Sequence, residues 1–203
     1  DGEAGSDNSG RSVSMNAAGD RVAIGANYNN GNGSTAGHVR VYEYSSGSWS
    51  QLGGDIDGEA GGDRSGWSAS MNAAGDRVAI GALYNDGNGT DAGHVRVYEY
   101  ASGSWTQLGG DIDGEAVSDR SGISVSMNSA GDRVAIGAYY NDGTASEAGH
   151  VRIYSYNGSA WSKLGADIDG EAGADYSGYS VSMNSSGDRV AIGAYGNDGS
   201  ASG

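Results

Sequence analysis

The side chains whose spacing could do chemistry are carboxylates in a short acidic segment. Asp55, Asp57 and Glu59 alternate along the chain, and Asp63 follows four residues later. Alternating acidic residues beside a glycine have the outline of a calcium loop, although the spacing is not that of an EF-hand, and a solvated acidic turn accounts for the same pattern. We state calcium binding as a prediction, with the carboxylates repeated in three copies: Asp55, Asp57, Glu59, Asp63, Asp111, Asp113, Glu115, Asp119, Asp167, Asp169, Glu171 and Asp175.

The acidic segment recurs because the whole chain is a tandem repeat. The opening Asp-Gly-Glu-Ala stands at Asp1, Asp57, Asp113 and Asp169, which gives a period of 56 residues. A fixed period of this size indicates units that bury their apolar faces against neighbouring units. Three and a half units would form an open arc, so we expect this array to be part of a larger ring or assembly. Its units are residues 1–56, 57–112, 113–168 and a partial 169–203.

Each unit has the pattern of four short strands separated by turn residues. In the second unit the strands are expected at residues 67–71, 76–82, 94–100 and 105–108. The first and third alternate in polarity, while the second carries small or apolar residues on both faces and is expected to be buried on both. No stretch has the 3.6-residue apolar period of a helix. The sequence therefore predicts an all-β protein, a β-propeller built from four-stranded antiparallel blades.

Two positions that differ between the units mark a second candidate site. One follows Ser-Gly at the start of the first strand, and the other follows Gly-Ala at the end of the second strand. Residues at strand ends can form a contact surface for a ligand or a protein, and tolerated variation at half-exposed positions is the alternative. The residues at these positions are Arg11, Trp67, Ile123, Tyr179, Asn27, Leu83, Tyr139 and Tyr195.

The sequence contains no recognisable catalytic constellation. His38, His94 and His150 share one position at the start of a strand, and we interpret them as structural hydrogen-bonding residues in preference to ligands. There is no nucleophile elbow, no His-Glu-x-x-His motif and no phosphate loop. Because carboxylate pairs recur in every unit, none marks a unique reaction centre. The sequence predicts that the protein is not an enzyme.

Three segments of the repeat resemble a known family. They are SGWSAS at residues 65–70, VAIGA at 78–82 and GHVRVY at 93–98, and together with their copies they cover the chain. This order resembles the FG-GAP repeat of integrin-α-type β-propellers, with Ser-Gly in place of Phe-Gly and no Pro after Gly-Ala. The family's calcium loop between the first two strands is not expected here, because the connection at residues 72–76 is only NAAGD.

The resemblance implies a binding function outside the cell. We expect a non-enzymatic extracellular or cell-surface adhesion module whose partner is a protein or a glycan ligand. The alternative is a structural repeat protein whose copies assemble with one another into a dimer, a filament or a surface layer. Such a protein could be glycosylated, and N-x-Ser/Thr sequons occur at Asn32, Asn88, Asn157 and Asn184.

Composition excludes several other classes of function. The 203 residues include 11 Lys and Arg against 26 Asp and Glu, a formal net charge of −15. This charge opposes binding to nucleic acid or to an anionic membrane. There is no cysteine, so disulfides and thiolate metal sites are excluded. No apolar run approaches the roughly 20 residues that membrane insertion requires.

Overall fold

The structure is a computed structural model that describes residues 2–199, so that Asp1 and residues 200–203, at the two ends of the predicted array, lie outside it. The described residues form seventeen strands and no helix, and hence no helix able to cross a membrane. In the first unit the strands are β1 (Ser9–Met15), β2 (Arg21–Ala26), β3 (His38–Ser45), β4 (Ser48–Gln51) and β5 (Ile56–Asp57).

The later units repeat this order. The second contains β6 (Ser68–Met71), β7 (Arg77–Ala82), β8 (His94–Ala101), β9 (Ser104–Gln107) and β10 (Ile112–Asp113). The third contains β11 (Ser124–Met127), β12 (Arg133–Ala138), β13 (His150–Tyr156), β14 (Trp161–Lys163) and β15 (Ile168–Asp169). The described part of the fourth contains β16 (Ser177–Met183) and β17 (Val190–Ala194).

Each of the first three units forms one antiparallel sheet. The first four strands of a unit lie side by side in chain order, and the short fifth strand pairs with the third. The prediction of an all-β chain with four-stranded antiparallel sheets is confirmed, and the arrangement is propeller-like. The two-residue fifth strand is an addition that polarity alternation could not reveal, because it is too short to show a period. The number of blades in a complete ring stays a prediction.

The hairpin between the first two strands of a unit is fixed by one asparagine. The Asn72 side-chain oxygen accepts hydrogen bonds from the backbone N–H groups of Gly75, Asp76 and Arg77 at 3.0 to 3.1 Å. Gly75 has a φ of +74°, a conformation that glycine adopts without steric cost. This Asx-type turn closes β6 onto β7 and recurs in every unit.

Neighbouring sheets approach closely along their first two strands. A Cβ atom on Gly81 of β7 would overlap the carbonyl oxygen of Gly122 in the next unit. The Ser68 hydroxyl donates a 2.7 Å hydrogen bond to that same carbonyl, and the backbone N–H of Met127 donates to Ser70 Oγ at 3.0 Å. The small residues of these strands therefore set the distance between units, and the first strands lie on the inner side of the arc.

Buried aliphatic side chains fill the space between the sheets. Val78 and Ile80 of β7 and Val97 of β8 are at most 2% exposed. The Trp105 indole N–H donates a 2.8 Å hydrogen bond across the interface to the carbonyl of Leu52 in the preceding unit. Each sheet therefore depends on its neighbour for both apolar burial and hydrogen bonding, as the repeat period indicates.

The close contact at Gly81 can be tested by Gly81→Ala. We expect the free energy of unfolding to fall by about 1–3 kcal/mol, because the added methyl group forces the two sheets apart. The measurement is urea unfolding followed by tryptophan fluorescence. Gly110→Ala is the matched control, since a Cβ atom there meets nothing within 4 Å. Equal unfolding midpoints for the two variants would contradict the packing argument.

Candidate functional site

Three clusters of one histidine and two carboxylates lie along the outer part of one end of the sheets, and we call them the rim clusters. In each of them the ligand atoms lie within 4.8 Å of one another. The three sets are Glu3, His38 and Asp55; Glu59, His94 and Asp111; and Glu115, His150 and Asp167. The described residues therefore contain groups that could hold a metal ion.

Strand pairing explains how these side chains meet. His94 is the first residue of β8, and β10 pairs with that end of β8 so that Asp113 lies opposite His94. Asp111 immediately precedes β10, and Glu59 comes from the loop that opens the same unit. The short fifth strand thus brings the acidic segment to the histidine, a contact that the linear sequence does not show.

The acidic segment predicted as one calcium site is divided between different surroundings. Asp55 and Asp57 lie beside His38, whereas Glu59 lies beside His94 of the next cluster. Asp63 is buried, and its Oδ2 atom accepts hydrogen bonds from Ala60 N at 3.1 Å and Asn85 Nδ2 at 3.0 Å. The same aspartate-to-asparagine bond occurs at Asp119 and at Asp175.

The histidine is the buried member of each rim cluster. His94 is 1% exposed, and its Nδ1 atom has no hydrogen-bond partner; the Glu59 and Asp113 carboxylates are 3.8 and 4.0 Å away. Burial, and then the nearby charge of Arg96, lower the pKa of His94 to about 4. The imidazole is therefore neutral at pH 7, which is the form that binds a metal ion.

An arginine accompanies each rim cluster. In the second cluster Arg96 Nη1 lies 3.3 Å from Glu59 Oε1, which leaves Glu59 Oε2 on the side of His94. In the third cluster Arg152 bonds both oxygens of Asp167 at 2.9 Å and also contacts Glu115. Arginine therefore neutralises the carboxylates of the third cluster to a greater degree than those of the second.

Seven of the eight residues that vary between units are linked by packing or ring contacts, and we call all eight of them the mouth residues. The Arg11 guanidinium lies 3.9 Å from the centre of the Trp67 ring system. Trp67 packs against the buried group formed by Leu83, Ile123 and Tyr139. The Tyr179 ring contacts the rings of Tyr139 and Tyr195. Asn27 is the eighth mouth residue.

Gly66 and its copies precede the mouth residue at the start of the first strand in each unit. Gly66 has a φ of +81°, and Trp67 follows it directly. In the first and fourth units the strand register shifts between the glycine and the next paired serine, so that Arg11 and Tyr179 occupy a bulge. Bulges re-aim side chains at strand ends.

Arginine and tyrosine side chains alternate next to the mouth, a feature that the sequence reasoning missed. Arg64 lies 4.7 Å from the Tyr28 ring and 4.5 Å from the Tyr84 ring, and Arg120 lies between Tyr84 and Tyr140 in the same way. The signal available in the sequence was their identical position in successive units. Such cation–π contacts hold the loops of adjacent units in line.

Arg120 also ties this row to the mouth. Its Nη1 atom donates a 2.8 Å hydrogen bond to the Tyr139 hydroxyl. Burial raises the pKa of Tyr139 to about 12, so the phenol is neutral at pH 7. The phenol is thus fixed as a hydrogen-bonding group at the mouth.

Three of the four sequon asparagines use their side-chain nitrogen in hydrogen bonds. Asn32 and Asn88 donate to the carbonyls of Gly58 and Gly114 at 2.8 Å, and Asn184 donates to a carboxylate. Asn157 accepts from the backbone of Ser159 and Ala160 through its oxygen. Glycosylation at these four residues stays a prediction.

Solved structures with a similar fold are known. The periplasmic gluconolactonase PpgL of Pseudomonas aeruginosa has a TM-score of 0.61 at 13% identity, over 90% of this chain and 50% of that one. A proposed 6-phosphogluconolactonase from Bacteroides uniformis has 0.60 at 10% identity, over 89% and 46%. Sqt1 of Saccharomyces cerevisiae has 0.52 at 13% identity, over 85% and 39%. At these identities the likeness shows the fold alone, and the chain spans half or less of each protein.

No family model and no curated protein sequence matches the chain. The structures with a similar fold are named as lactonases and Sqt1, so the assignment to the FG-GAP family is wrong. The reason is physical: the spacing of Gly, Ser and Val in the repeat reports how sheets pack, and propellers of different function share that packing.

The functional predictions based on that resemblance are overturned as well. Two of the three similar structures are named as lactonases, which are enzymes. This finding contradicts the predictions of a non-enzymatic adhesion module, of a filament or surface layer, and of a protein, a glycan or further copies of the chain as the partner. It also contradicts the prediction, drawn from the repeated carboxylates, that the protein is not an enzyme.

The structural role of Asp63 can be tested by Asp63→Ala. We expect the free energy of unfolding to fall by about 1–3 kcal/mol, because the buried Asn85 amide loses its acceptor. Thermal melting followed by circular dichroism measures the change. Glu171→Ala is the control, because Glu171 is exposed in the equivalent acidic segment. The role would be refuted if both variants melted like the parent chain.

Proposed function

We propose that the mouth residues form part of the substrate site of a propeller enzyme that hydrolyses a small lactone. The observation that carries this proposal is the side chain of Asn27. It is 0% exposed, and neither its Nδ2 nor its Oδ1 atom has a hydrogen-bond partner among residues 2–199. A buried amide without partners costs about 1–3 kcal/mol, so a polar ligand that pairs with it has a ready-made binding group.

The repeat shows that this cost is not required by the fold. The residue equivalent to Asn27 in the second unit is Leu83, which is 1% exposed in the same packing position. An apolar side chain therefore fits there and avoids the unpaired amide. A polar group kept at such a position favours a role in binding over a role in packing.

The neighbouring groups suit a cyclic ester. Arg11 supplies N–H donors, and Trp67, Tyr179 and Tyr195 supply ring faces for a small cyclic molecule. In lactone hydrolysis, water adds to the carbonyl carbon, the ring C–O bond breaks, and the former ring oxygen takes a proton. Negative charge develops on the carbonyl oxygen, where N–H donors from Arg11 and Asn27 would stabilise it. The net charge of −15 favours an uncharged lactone over a phosphorylated one.

The similar structures support two further parts of this proposal, which are the location of the protein and its assembly into a larger ring. Two of them are named as lactonases and one of these as periplasmic, so we propose an exported location. The chain spans about half of each of these two proteins, so we propose that its 56-residue units are blades of a larger ring. Calcium at the acidic segments stays a prediction; the histidine beside those carboxylates fits a transition metal better than calcium.

The proposal is tested by Asn27→Leu, which installs the residue found one unit further on. We expect hydrolysis of glucono-1,5-lactone, followed by acid release at constant pH, to fall at least about tenfold. The free energy of unfolding should rise by about 1–3 kcal/mol, because the unpaired amide is gone.

Trp49→Ala serves as the control, because it removes an exposed aromatic side chain on the outer strand β4 and should leave the rate unchanged. A parent chain that gives no more than the spontaneous rate would reject the proposed reaction. An Asn27→Leu variant with the full rate would reject the role of the mouth.

A further inference from the structure

The first two rim clusters each contain a buried imidazole nitrogen that faces carboxylates without bonding to them. His38 Nδ1 lies 3.7 Å from Asp55 Oδ2, 3.9 Å from Glu3 Oε2 and 4.0 Å from Asp57 Oδ1. Hydrogen bonds between nitrogen and oxygen end near about 3.2 Å, so none of these is one. His38 is 1% exposed, and within the described part of the chain its Nδ1 has no hydrogen-bond partner. His94 repeats this arrangement.

The separations fit a cation placed between the groups. Zn²⁺ binds nitrogen and oxygen ligands at about 2.0–2.2 Å, so two ligand atoms on one ion lie roughly 3–4 Å apart. The distances from Nδ1 to the carboxylate oxygens in the two clusters run from 3.7 to 4.0 Å. A cation would give the orphaned nitrogen a partner and would also separate carboxylates that repel one another.

The charges of the clusters match a divalent ion. In the second cluster Glu59, Asp111 and Asp113 contribute three negative charges, and Arg96 contributes one positive charge. The balance is two negative charges around a neutral histidine.

We propose that the clusters around His38 and His94 bind a divalent transition-metal cation, and that the cluster around His150 is the same site blocked by a lysine. One imidazole nitrogen with two or three carboxylate oxygens is a ligand set for Zn²⁺ or Mn²⁺, whereas Ca²⁺ prefers a shell of oxygens alone. The proposed metal sites share no residue with the mouth, and the proposal does not depend on lactone hydrolysis.

The block in the third cluster comes from Lys163, which stands where the first two units have a glutamine, together with Arg152. Gln51 and Gln107 donate to Asp55 and Asp111 at 2.5 and 2.6 Å, and the equivalent Lys163 donates to Asp167 at 2.7 Å. With Arg152 also on Asp167, both carboxylate oxygens are occupied by cations. These cations hold the pKa of Asp167 well below its usual range. The third cluster therefore has one negative charge less, and its Asp167 carboxylate is taken by Arg152 and Lys163.

The arginine of the second cluster does not block the site. Arg96 Nη2 donates to the backbone carbonyl of Asp57 at 2.8 Å, and its Nη1 lies against the Glu59 oxygen that points away from His94. The guanidinium therefore orients the carboxylate and leaves Glu59 Oε2 available. In a variant without Lys163, we expect Arg152 to adopt the arrangement of Arg96.

The experiment counts bound metal. The full chain is stripped with EDTA, and binding of ZnCl₂, MnCl₂ and CaCl₂ is followed separately by titration calorimetry. We expect two Zn²⁺ or Mn²⁺ ions per chain, and at least tenfold weaker binding of Ca²⁺. Lys163→Gln should raise the number from two to three. Asp111→Asn, which keeps the shape of the side chain, should lower it to one, and so should His94→Gln.

Glu171→Gln is the matched control and should leave two sites, because Glu171 has no histidine beside it among residues 2–199. Melting curves of the stripped variants verify that each one is folded. Absence of transition-metal binding, or two sites remaining in Asp111→Asn, would overturn the metal sites. Three sites in the parent chain, or two in Lys163→Gln, would overturn the lysine block. Tighter binding of Ca²⁺ than of Zn²⁺ would overturn the assigned class of ion.

Discussion

The structure depends on the contact between a glycine in one unit and a backbone carbonyl in the next. At Gly81 any side chain would overlap the carbonyl of Gly122, and the Ser68 hydroxyl bonds the same oxygen. Gly25 and Gly137 make the equivalent contacts. This approach fixes the spacing of the sheets, and the spacing decides which side chains can be buried between them. The second strand is buried on both faces because the next sheet lies that close.

The same contact also fixes the position of the variable residues, because they follow the glycine segments that make it. Trp67 follows the glycine of the Ser-Gly pair, and Leu83 follows the Gly-Ala pair that ends β7. The glycines are constant because the sheets touch there, while the next residue projects beyond the contact and is free to differ. A repeat scaffold thereby obtains a non-repeating surface without a change in its packing. Asn27 occupies the position that Leu83 has in the next unit, but its buried amide has no hydrogen-bond partner among residues 2–199. This difference between the units therefore costs stability.

Local polarity was sufficient to predict the strands but not the sites. Alternation in residues 67–71 and double burial in residues 76–82 are properties of short segments. Both segments form strands in the structure, and β7 is buried on both faces, although the exposure of β6 does not alternate. The rim clusters depend on Ile112–Asp113, a strand too short to show alternation, which pairs back onto His94. The acidic segment looked continuous in sequence, yet its carboxylates turn to different histidines. The family resemblance misled because it rested on the packing residues.

The rim and the mouth are joined by the loop that runs from Leu83 to Gly93, and that loop is held at several points. The buried Asn85 amide bonds Asp63, the Gly93 N–H bonds the Asn85 carbonyl, and the Tyr84 ring lies between two guanidinium groups. Coupling between two sites requires an element with two arrangements of similar free energy. A loop bonded in this way has one arrangement in the structure. A metal ion at the clusters of His38 and His94 would therefore stabilise the units that hold it, while ligand binding at the mouth would be governed by the mouth residues themselves.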